Sequence, residues 1–185
     1  MSEHPRSDAL VAEIQREFPR FRLRPKSTSA LQRAIDVALK IVTLGAQREY
    51  LTRYHTVLGD TLWLPSRWPD SPDDARYVLL RHERVHLRQR RRYGFLGMAL
   101  IYLLPILPLG LAWGRARLEW EAYTETLRAT AEVHGLAAAR DPALHDYLVA
   151  QFTSGAYGWM WPFPRMIRRW IAEVLADIER ETGAR

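Results

Sequence analysis

His82, Glu83 and His86 stand in the order His-Glu-x-x-His within the segment RHERVH. Side chains four residues apart share one face of a helix, so two imidazoles at this spacing can reach a single ion. The glutamate between them then lies beside a water that the ion also holds. Zinc chemistry needs such a set. The metal lowers the pKa of its water towards 7, and a carboxylate accepts the proton as the water attacks. With 6 histidines and 12 glutamates in 185 residues, random order would produce the pattern in about one such chain in a hundred. The competing reading is a charged, exposed helix with two solvated histidines, in which Arg81, Arg84 and Arg88 would share.

Cysteine is absent, which leaves histidine and carboxylate as the donors for any metal. A catalytic site needs a third protein ligand and one open position. The segment RARLEWEAYTETLRATAEVHG offers Glu119, Glu121, Glu125 and Glu132. On a helix, Arg117, Glu121, Glu125, Arg128 and Glu132 fall on one stripe, the pattern of a solvated, ion-paired face. Glu119 points about 200° away from Glu121. It shares its side with Ala116, Ala122, Tyr123, Thr126, Thr130 and Val133. A carboxylate on such a small and apolar face needs a partner, either a buried arginine or a metal. Glu119 is therefore the expected third ligand.

HERVH followed by LEWEAY resembles the gluzincin metallopeptidases, in particular the CAAX-prenyl-protease and membrane heat-shock protease type. It is also similar to small metallopeptidase-like proteins of bacteria and phages. The resemblance covers roughly residues 48–134. It implies zincin-like active-site helices, His82 and His86 as ligands, Glu83 as general base and Glu119 as ligand glutamate. The family places an acid four residues after that glutamate to support a ligand, where this chain has Tyr123. Tyr123 could instead offer its hydroxyl to a ligand or to the oxyanion. Other oxyanion donors are Tyr157, which opens the aromatic loop Tyr157–Phe163, and His145 and His55. Tyr157 leads this group, against the alternative that it simply packs on Trp159 and Trp161.

These side chains need elements to hold them. The acids Asp73 and Asp74 suit the first turn of a helix over 73–93, which carries the motif and stops before Gly94. Ahead of it, Arg48–Leu64 alternates β-formers around Leu58-Gly59-Asp60 and predicts a β-hairpin. In gluzincins the strand before the motif helix commonly binds extended peptide, so this hairpin is expected to present such an edge. A helix over 115–134, closed by Gly135, would carry Glu119. Further helices are expected over 8–18, 27–44, 142–152 and 164–182. The expected class is α+β and mostly helical, in one domain. Within it, 1–45 form N-terminal helices, 46–134 the hairpin and zinc-site core, and 135–185 C-terminal helices.

The net charge is +6, almost wholly from arginine, since Lys26 and Lys40 are the only lysines. No cluster looks like a base-reading element, so nucleic-acid binding lacks support. Residues 1–18 lack the short apolar core of a secretory leader, and a cytoplasmic location follows as the expectation. Tyr93–Gly114 carries no charge and is about long enough to span a bilayer. One crossing would separate His82 and His86 from Glu119, so the segment must return, with Pro105 and Pro108 suited to the reversal. It is expected as a buried hairpin of the core. Otherwise it makes a peripheral membrane contact over 88–114, with Arg88–Arg92 facing headgroups. The favoured function is a zinc endopeptidase acting on peptide or protein substrates. Its rivals are a non-catalytic zinc-stabilised interaction module and a basic helical protein of the membrane surface.

Overall fold

The computed structural model describes residues 3–30, 55–103, 112–154 and 160–183. The chain divides into two compact units, 1–83 and 84–185. Among the described residues the architecture is α+β and mostly helical, as expected. Most of the helix expected over 27–44, the strand residues 48–54, the Pro105/Pro108 reversal and Tyr157 lie outside the described residues.

In the first unit, helix α1 (Pro5–Glu17) turns Leu10 and Ile14, four apart, into the core, where Phe18 joins them. Pro5 occupies the first turn, where a missing N–H costs nothing. The turn's other donors are met from far along the chain: the Asp73 carboxylate accepts from the amides of Arg6 and Ser7, each at 2.9 Å. Burial works against the charge on Asp73. The Ser7 and Arg6 groups outweigh it and hold the carboxyl below its usual range. Arg6 also donates to Asp74 at 2.7 Å. The two acids expected to open their own helix therefore also close the start of α1.

Strands β1 (Arg22–Pro25), β2 (Thr56–Leu58) and β3 (Thr61–Leu64) form one sheet in the order β1-β3-β2. The expected hairpin is present as antiparallel β2 and β3, joined at Gly59-Asp60 with Gly59 at φ 63°. That left-handed conformation costs glycine little and suits a two-residue turn. A parallel partner, β1, runs along the other side of β3. The sequence Arg-Leu-Arg-Pro reads as a connector, and Pro25 restricts it to an edge. With β3 paired on both sides, the sheet's edges among the described residues are β1 and β2, so the edge that the hairpin presents is that of β2 and not of β3.

Arg76 fixes the loop that leads into the motif helix. Its buried guanidinium donates to the carbonyls of Ser71, Trp68 and Pro69 at 2.8–2.9 Å. Helix α2 (Asp73–Leu103) is broken at Gly94, whose φ of 70° and ψ of 173° are not helical, and resumes as a second limb. The stop before Gly94 matches the expectation; the resumption does not.

The second unit contains α3 (Trp113–His134), α4 (Leu136–Ala139), α5 (Pro142–Thr153) and α6 (Pro164–Gly183). Gly135, at φ 83°, ends α3. Asp141 caps α5 by accepting from the Ala143 amide at 2.9 Å. Trp120, Tyr123 and Leu127 of α3 pack with Leu148 and Phe152 of α5 and with Ile167, Trp170 and Ile171 of α6. This core holds α3, and with it Glu119, in place. The apolar stretch is not the buried hairpin expected of it where it is described. Tyr93, Phe95, Leu96, Leu100 and Trp113 are exposed, while Ala112 is buried. No described helix is long and apolar enough to cross a membrane.

Candidate metal centre

His82 and His86 lie one turn apart on the first limb of α2, and Glu119 lies near the start of α3. One ligand atom from each comes within 4.8 Å of the others. His86 Nε2 and Glu119 Oε2 are 3.7 Å apart, with side chains only 12% and 14% exposed. Among the described residues this is the one group of three that could hold a metal ion. Two imidazoles and a carboxylate suit first-row divalent ions, and three protein ligands leave a position open for water. Glu83 follows His82 directly on the same helix and is buried. The arrangement can thus hold a metal ion and keep a carboxylate within the same turn.

A residue that the motif does not include completes the set. Gln89 Nε2 donates to the Leu118 carbonyl at 2.9 Å and to Glu121 Oε2 at 3.0 Å. Both partners only accept, so the amide must turn its nitrogen to them and its oxygen to His86. Gln89 Oε1 lies 2.9 Å from His86 Nδ1. His86 Nδ1 therefore carries a proton, and the ring turns Nε2 to the side where Glu119 stands. Gln89 is almost fully buried, so water does not readily replace it as the partner of Nδ1.

Glu121 and Glu119 consequently have different tasks. Glu121 lies on the ion-paired face expected of it, with one oxygen 3.9 Å from Arg117. Its other oxygen reaches inward to Gln89. The sequence does carry a signal for Gln89. It follows His86 by three residues and His82 by seven, so it shares their helical face.

Of the other candidates, Tyr123 is placed in the apolar core, its ring 5.6 Å from that of Phe152 in an edge contact. Tyr157 lies outside the described residues. His145 donates from Nε2 to the Ala139 carbonyl at 2.9 Å, which secures the turn into α5. His55 packs edge-on against Trp68. Burial, with Lys26 adding to it, pushes the His55 pKa down to about 4. Comparison of the chain with protein-family models, with curated proteins and with solved structures finds no match.

Proposed function

We propose that the chain is a zinc-dependent endopeptidase. The observation that carries this reading is the approach of His82, His86 and Glu119 to within 4.8 Å, with Glu83 between the two histidines on one helix. Bonds of 2.0–2.2 Å to a tetrahedral zinc would separate its ligands by about 3.3–3.6 Å. The 3.7 Å between His86 and Glu119 is within a small side-chain rotation of that value. The likeness of HERVH and LEWEAY to gluzincin metallopeptidases supports the same choice of metal and reaction.

Zinc, when bound, would acidify a water and polarise the substrate carbonyl. The protein's own groups do the rest. His82 Nε2 or Nδ1, His86 Nε2 and a Glu119 oxygen would hold the ion, and Gln89 orients the His86 ring for it. The Glu83 carboxylate takes the proton released during attack and passes it to the leaving amine. Its burial restricts that proton to groups within the site.

Hydrolysis of an unstructured protein such as casein by wild type and Glu83→Gln tests the reading. Glu83→Gln should retain zinc and lose cleavage by a factor of at least about a hundred. Cleavage that survives the substitution would overturn the peptidase assignment.

A further inference from the structure

Residues 95–103, the second limb of α2, present two different sides. Ile101 faces α3: a Cβ placed on Gly114 would lie 2.9 Å from Ile101 Cγ2, so the limb packs closely there. Phe95, Leu96 and Leu100 occupy an arc of about 140° on the other side. They are 70%, 75% and 59% exposed. Trp113, next to Gly114, is half-exposed as well. An apolar strip of this kind on the outside of a protein marks a surface that something apolar covers.

The charge around the strip identifies that partner. Residues 84–118 contain seven arginines and not one acid. The rest of the chain has 20 basic and 21 acidic residues, so the protein's excess positive charge is concentrated here. Arg88, Arg90, Arg91 and Arg92 precede the limb directly, while Arg117, which follows it, is engaged by Glu121. A second copy of the chain would bring like charge against like. A nucleic acid would match the arginines but leave Phe95, Leu96 and Leu100 in water. An anionic bilayer suits both features: its headgroups match the local excess of positive charge and its acyl chains the strip.

We propose that the limb 95–103 docks on the surface of anionic membranes, with Phe95, Leu96 and Leu100 inserted and Arg88–Arg92 at the headgroups. The chain lies on the bilayer and does not cross it, in keeping with the absence of any sufficiently long apolar helix among the described residues. This placement stands apart from the peptidase reading, since it uses none of the metal-centre side chains.

Sedimentation of the full chain with vesicles is the test. Vesicles with about 30% phosphatidylserine should bind at least roughly tenfold more tightly than pure phosphatidylcholine. The double substitution Leu96→Ser/Leu100→Ser should weaken anionic binding about twentyfold, as should Arg91→Ala/Arg92→Ala. All four positions are exposed, and an unchanged circular dichroism spectrum verifies the fold. Three results would overturn the proposal: no preference for anionic vesicles, binding that ignores the leucine pair, or a leucine-dependent self-association without vesicle binding.

Discussion

Gln89→Met retains the length and apolar body of the side chain but removes both polar atoms. Three hydrogen bonds disappear, to His86 Nδ1, the Leu118 carbonyl and Glu121. Gln89 is only 4% exposed, so water cannot fully replace them. At about 0.5–1.5 kcal/mol per bond, the metal-free protein should lose about 2–4 kcal/mol of stability. The effect on the metal arises differently. Without an acceptor at Nδ1 the His86 ring can place its proton on Nε2, the atom that must ligate. Loss of such outer support typically weakens binding 10–100-fold. Competition against a chromophoric chelator measures the zinc dissociation constant, and urea denaturation of the apo form measures stability. Gln89→Glu provides the contrast. It keeps an acceptor for His86 but sets a carboxylate oxygen against Leu118 and Glu121, so it should lose stability while holding zinc within about threefold of wild type. A Gln89→Met protein that binds zinc as tightly as wild type would refute the account of the His86 tautomer.

Two further outcomes follow from the fold. Asp73→Asn should cost about 1 kcal/mol, because a neutral amide oxygen caps α1 less well than the carboxylate that now meets Arg6 and Ser7. Because the Asp73 pKa is lowered on folding, its contribution is complete above the unfolded value near 4 and lost as pH falls through the lower folded one. Acid unfolding monitored by circular dichroism should therefore show a shallower pH dependence in the variant; an unchanged profile would contradict the cap. Tyr123→Phe keeps the ring against Phe152. With the ring kept, the fold should be retained by circular dichroism, and the cleavage rate then reads what the hydroxyl alone contributes. A hundredfold loss of cleavage with zinc retained would give the hydroxyl a part in the reaction.

Much of the site was legible because helical periodicity is local. The four-residue step from His82 to His86 and the angle between Glu119 and Glu121 need only a helix to become geometry. Glycines at Gly59, Gly94 and Gly135 likewise mark backbone conformations that other residues resist. What stayed hidden depends on distant partners. Nothing in Arg22–Pro25 signals a strand, since β1 exists only because β3 offers an edge to it. Asp73 reads as a first-turn acid of its own helix, and its second task requires α1 to arrive from 66 residues away. Gln89 carries no charge to attract notice, and its value lies in meeting a donor and two acceptors at once. The uncharged run after Tyr93 suggested burial, but composition alone does not say which side of a helical limb finds a neighbour. Ile101 does, and Leu96 and Leu100 do not.

The metal content of three purified proteins tests the central claim most directly. Wild type and Glu121→Ala should each bind one zinc per chain, Glu121→Ala somewhat more weakly through the loss of its bond to Gln89. Glu119→Ala, which removes the carboxylate 3.7 Å from His86, should bind none at the same zinc concentration. A wild type without zinc, or a Glu119→Ala protein that retains it while Glu121→Ala does not, would contradict the site.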